Sequence, residues 1–157
     1  MTISREELLQ PSLSDEQPAA APYSVRTTFL SGFFGGPFGA LAISMTNSVR
    51  LRRVSRDVPL WLGLLALTLG GAWALHHAAS AAGIRAWMMT NSGANIVRLV
   101  YRVAGVLIVG LGYLLHRREQ RNTDLRAIER PNGWIAGLAC IVLGAGAQFL
   151  FLMAIAR

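Results

Sequence analysis

The chain has 157 residues, of which 53% are hydrophobic and 15% charged, with a mean hydropathy of +0.42. A water-soluble domain carries about 25% charged residues, so this composition excludes an ordinary soluble enzyme. All 15 basic residues are arginine, and against 8 acids they give a net charge of +7. The single cysteine, Cys140, excludes an intrachain disulfide, a paired-cysteine redox site and a cysteine-based zinc site.

The first 28 residues are polar and punctuated by Pro11, Pro18 and Pro22. Such a stretch has little to bury and reads as a disordered tail, residues 1–28. Ser4 and Glu7 have capping-box spacing ahead of Leu8 and Leu9, enough for one short helix at most. The acidic, long start does not suit a signal peptide, although Ala40-Leu41-Ala42 has the small-x-small pattern of a cleavage site.

Four apolar runs follow, at about 29–49, 58–79, 97–115 and 134–156. A hydrocarbon core about 30 Å thick takes about 20 helical residues, so each run is about one crossing long. Lipid requires backbone groups to be satisfied within the segment, which favours helices, and the alternation of a lipid-facing barrel is missing. The expected fold is therefore all-α: a compact four-helix transmembrane bundle over residues 29–157.

The first run contains Phe33-Phe34-Gly35-Gly36-Pro37-Phe38-Gly39. Proline removes a hydrogen bond and clashes one turn back, so a kink is expected near 33–36. Gly32, Gly36, Ala40, Ser44 and Ser48 recur every four residues, a small-residue stripe that lets another helix approach closely. Together with Gly35 and Pro37 they are the candidate packing and hinge residues. The second run repeats the device in Gly70, Ala74, Ala78 and Ala82, and the fourth in Gly133 and Gly137 and in Ala136, Cys140 and Gly144.

Arginines cluster in the first connection (Arg50, Arg52, Arg53, Arg56) and the third (Arg117, Arg118, Arg121, Arg126, Arg130), whereas the second holds Arg85 alone. With four crossings, the positive-inside rule puts those two connections in the cytoplasm and both termini outside. If the first run only re-enters, the N-terminal tail moves to the cytoplasm. Trp61, Trp134 and Tyr113 fall at the cytoplasmic borders and Trp87 and Tyr101 at the outer one, where amphipathic rings prefer to sit. Trp73 falls mid-span and is expected to pack. The basic turns read as topology signals with some attraction to anionic lipid. They are split and lack an aromatic stacking platform, which argues against nucleic acid.

The Phe-Phe-Gly-Gly-Pro-Phe-Gly-Ala segment followed by an arginine-rich turn, residues 27–57, resembles certain small uncharacterised bacterial multi-pass membrane proteins. The resemblance implies no activity and no catalytic residues. The all-arginine usage points to a GC-rich bacterial genome, hence to the bacterial inner membrane.

Candidate chemistry is thin. None of the four runs contains a carboxylate for proton-coupled transport. Cys140 lies in an apolar helix and reads as a small packing residue. His76 and His77 point about 100° apart on a helix, which suits neither bis-histidine haem nor a shared metal, so no metal or cofactor is expected. His116 belongs to the opposite face. Arg98 and Arg102 lie one turn apart near the outer start of the third run. They either snorkel or, with His76 or His77, form a cationic pocket for a lipid headgroup or a partner's acid. The expected function is that of a non-enzymatic subunit working through helix–helix contacts, with membrane lipids and a protein partner or further copies as its company. The alternative is a small permease or channel built on the bent first helix.

Overall fold

The structure is a computed structural model that describes residues 20–88, 90–125 and 130–156. Residues 1–19, with most of the expected disordered tail, lie outside the described residues, as do Arg126 and Arg157. The described chain is all-α: α1 (Val25–Arg50), α2 (Val54–Ala81), α3 (Arg85–Met88), α4 (Asn91–Leu115), α5 (Arg117–Leu125) and α6 (Trp134–Ala156). Four of these, α1, α2, α4 and α6, are long and apolar enough to cross a membrane, which makes this a multi-pass membrane protein.

The helix starts follow local chemistry. Ser24 caps α1 by accepting from the Thr27 backbone N–H at 3.2 Å, and Thr90 caps α4 by accepting from that of Gly93 at 3.2 Å. Arg53 precedes α2 and makes no side-chain cap, so nothing in the local sequence announces that α2 begins at Val54 rather than near Val58. His116 closes α4 at φ −101°, ψ 12°, and the arginine-rich segment resumes as α5 instead of prolonging α4.

The largest departure from expectation is in α1. Gly36 has φ 61° and ψ −158°, and Pro37 follows it. In a straight helix Thr28 and Asn47 would stand about 28 Å apart. Here Asn47 Nδ2 donates to Thr28 Oγ1 at 3.4 Å. The backbone N–H of Tyr23 donates to Asn47 Oδ1 at 2.8 Å, and that of Ala20 to the Arg50 carbonyl at 3.2 Å. The α1 segment is therefore a helical hairpin whose tip is Gly36. Its arms, Val25–Gly35 and Pro37–Arg50, are roughly 16 and 21 Å long, too short for a core of about 30 Å.

The predicted kink is thus a full reversal of the backbone at Gly36. Residue 20 lies beside Arg50 at the base of the hairpin, and α6 starts beside the same base, where Gly133 meets Thr27.

The hairpin forms the centre of the molecule, wedged between α4 and α6. A β-carbon at Gly39 would lie 2.7 Å from the Ser31 carbonyl oxygen, so the two arms touch backbone to backbone. Gly105 of α4 lies directly against the Gly32 and Gly36 backbone, and Gly144 of α6 against Gly35 and Gly39. These contacts admit no side chain, which is why the sequence needs glycine on all three elements. Ala40 and Ile43 are fully buried on the second arm. By contrast, only 6% of the apolar window of α2 is buried, against 61% for α1. The second helix touches the rest through its base and then diverges. Trp73, expected to pack, is 57% exposed, with its ring beside that of His77.

Candidate functional site

The base of the hairpin gathers the buried polar groups. Asp57 sits in the first turn of α2 and His116 caps the C-terminus of α4; each is 2% exposed. His116 Nε2 stands 2.7 Å from Asp57 Oδ2 and donates its proton to the carboxylate. The helix ends favour this arrangement, since the start of α2 carries partial positive charge and the end of α4 partial negative charge. Arg53 Nε lies 3.9 Å from Asp57 Oδ1, and the same guanidinium pairs through Nη1 with Glu119 of α5. A buried carboxylate without such partners would be strongly destabilising.

One turn further along α2, Trp61 is 2% exposed and donates from Nε1 to Ser48 Oγ at 3.0 Å. Ser48 in turn donates to the Ser44 carbonyl at 3.2 Å. Trp61 is therefore part of the core, not an anchor at the membrane border. Beside His116 lies a cavity of about 10 Å³ lined by Thr28, Ser44, Asn47, Gly112, His116 and Gln120 among others. Ser44 Oγ is buried there with no hydrogen-bond partner. The space suits about one water, which would satisfy that hydroxyl. The cluster joins imidazole and carboxylate by a buried hydrogen bond, and mechanically it fastens α2 to the ends of α1, α4 and α5.

Sequence reasoning missed this pair. The second apolar run, taken to start at residue 58, leaves Asp57 just outside it, and His116 is weighed only against His76 and His77 on the other face. The available signal was the Arg53–Asp57 spacing of one helical turn, which places an acid on a helix if that helix starts early enough. A buried carboxylate does belong to the second apolar helix, contrary to the reading of carboxylate-free runs.

The candidate packing residues are brought together. Gly32, Gly35, Gly36, Pro37, Ala40 and Ser44 are all buried along the hairpin interior. The candidate lipid- or partner-binding residues are not joined into one cluster. Arg98 and Arg102 are exposed on α4, and the Arg102 guanidinium stands 5.1 Å over the Phe33 ring. His76 is half-buried and His77 exposed on α2, with the His77 ring tilted against that of Trp73 at 4.3 Å between centroids. No hydrogen bond or ion pair among the described residues links the arginines to the histidines. Among the described residues, no three of His, Cys, Asp and Glu are grouped so as to hold a metal ion.

Comparison with protein-family models, with curated proteins and with solved structures returns no match.

Proposed function

We propose that this chain is a non-enzymatic membrane subunit that works through helix–helix contacts, with α2 as its docking arm. The observation that carries the reading is the divergence of α2 from an otherwise tight core. Gly63, Gly70 and Gly71 face open space, where the glycines of the hairpin face backbone. An apolar cleft of about 370 Å³ separates α2 from α4, and another of about 270 Å³ lies on its other side toward α6. A helix with small residues and open flanks suits close approach by a transmembrane helix of another protein or a second copy.

The experiment is co-purification in mild detergent with wild type and Gly70→Leu. A bulky side chain at Gly70 meets nothing within its own chain, so folding persists while the partner or second copy is lost. Recovery of the same species with both forms, or of none with wild type, sinks the reading.

The hairpin shifts the orientation argument. Ala20, Arg26, Arg50, Arg52, Arg53, Arg56, Arg117, Arg118, Arg121 and Arg130 share one face, whereas the short segment with Arg85 occupies the other. By the positive-inside rule the arginine-rich face is cytoplasmic and the C-terminus is outside. The arginine-only composition and the resemblance of residues 27–57 to small bacterial multi-pass proteins support the bacterial inner membrane. A second reading, a small permease or channel, draws on the re-entrant hairpin and the buried Asp57–His116 pair, because irregular backbone at membrane depth often lines a path. Solute or proton flux in reconstituted liposomes, abolished by Asp57→Asn, would favour it over the docking subunit.

A further inference from the structure

The exposed side of α4 and the first hairpin arm carries a charge that none of the described residues neutralises. Arg102 is about 20 Å along α4 from Leu115, which leaves roughly 10 Å to the far boundary of the hydrocarbon core. Its guanidinium is exposed and makes no hydrogen bond or ion pair among the described residues; its one described contact is the Phe33 ring at 5.1 Å. A guanidinium stays charged at any relevant pH and at this depth calls for water or an anion. A ring contact takes none of the N–H donors in a hydrogen bond to a neighbouring oxygen, and a guanidinium suits a planar, two-pronged acceptor. Arg98 is exposed one turn nearer the boundary, on the same side of α4.

Below Arg102 the surface changes character. Phe29 and Phe33 stack with centroids 6.0 Å apart, and Phe34 meets Phe33 edge-on at 5.1 Å. Phe29 and Phe34 are 43% and 56% exposed. Because the first arm rises from the arginine-rich face to the tip, Phe29 lies deeper than Phe33 when viewed from the opposite face. Running inward from that face, the order is Arg98, Arg102, Phe33, Phe29. Cationic donors sit where a headgroup arrives, and an aromatic shelf continues along the path of an acyl chain.

We propose that Arg98, Arg102 and the Phe29–Phe33–Phe34 row form a binding site for a phospholipid of the leaflet opposite the arginine-rich face. The arginines take the phosphate and the phenylalanines take one acyl chain. The histidines of α2 play no part in it.

The test is native mass spectrometry of the full chain in mild detergent, with dioleoyl phosphatidylglycerol added. Parallel arms use dioleoylglycerol, which has the chains without phosphate, and inorganic phosphate as competitor. Wild type should retain the phospholipid but not the diacylglycerol, and inorganic phosphate should not displace it. Loss of a charge-assisted, two-pronged contact in Arg102→Gln should lower retention roughly tenfold or more. Arg102→Lys, which keeps the charge but not the fork, should fall between, and Arg98→Gln and Phe33→Ala should each lower retention less than Arg102→Gln. Arg121→Gln, on the arginine-rich face, should leave retention unchanged, as should His77→Ala. The site does not exist if wild type, Arg102→Gln and Arg102→Lys retain equal lipid. Equal retention of diacylglycerol would remove the phosphate from the argument, and displacement by inorganic phosphate would make the site one for a soluble anion. Arg102-dependent capture of a second protein chain in lipid-free detergent would assign the arginine to a partner's carboxylate instead.

Discussion

The α1 hairpin and the α2 helix are made of similar material and are used in opposite ways. Each carries a small-residue stripe, each has an internal proline, and each is long enough to cross a membrane. In the hairpin the stripe is consumed within the chain: Gly32, Gly35 and Gly39 meet backbone or side chains of α4, α6 or the hairpin's own first arm. In α2, Gly70 meets nothing among the described residues, and the helix is held by Asp57 and Trp61 at its base. A stripe of small residues therefore states that close approach is possible, not which surface approaches.

The comparison breaks first on topology, where the expected effect is all-or-none. On a Cys140→Ser background, Ala20→Cys and Ser55→Cys should label from the same face and Ser92→Cys from the other. Were α1 a crossing helix, Ala20→Cys and Ser55→Cys would label from opposite faces, and the hairpin would be wrong. Next in size is Gly36→Leu. It places a side chain at φ 61°, with its β-carbon 2.5 Å from Gln148 Oε1. Strain and overpacking together should cost about 3–5 kcal/mol, read as a loss of thermal stability in detergent. Gly70→Leu should change the same measurement by less than about 0.5 kcal/mol, because its surroundings are open. Equal losses at the two positions would mean that α2 packs as tightly as the hairpin.

The fold class and the positions of the apolar helices were legible because bilayer thickness imposes a length that hydropathy displays directly. The disturbance at Gly35-Gly36-Pro37 was legible too, but its size was not. A proline after two glycines permits anything from a mild kink to a reversal. What decides is whether α4 and α6 offer Gly105 and Gly144 to receive the folded arms, a tertiary fact spread over more than a hundred residues. The base cluster was hidden for another reason. Asp57 and His116 are 59 positions apart and stand at the edges of apolar runs, where charge is expected anyway. Only their shared burial sets them apart from Arg56 or Arg117, and burial at a helix end follows from packing that neither residue's neighbours specify. Arg98 and Arg102 on α4 and His76 and His77 on α2 are not linked by any hydrogen bond or ion pair among the described residues, since membrane depth alone does not bring two diverging helices together.

The smallest of these effects concerns how α2 is fastened. If the Asp57–His116 contact is the latch that sets its base, the two residues must be energetically coupled, while the hairpin stays intact through its glycine contacts. Asp57→Leu leaves a buried imidazole without its acceptor, and His116→Leu leaves a buried carboxylate with Arg53 as its remaining cation. Removing the second partner of such a pair costs less than removing the first, because the survivor of a single removal is already left desolvated. The single substitutions should each lose about 2–3 kcal/mol, and the double substitution should lose less than their sum by about 1–2 kcal/mol. Thermal unfolding of the four proteins of this cycle in one detergent supplies the coupling. A label pair on α2 and α4 near Leu67 and Leu107 should report a broader distance distribution in the single variants, while a pair across the hairpin arms should not change. Additive losses would show that the two groups are buried side by side without acting on each other. A broadened hairpin pair would show that the cluster holds the whole base together and not the arm alone.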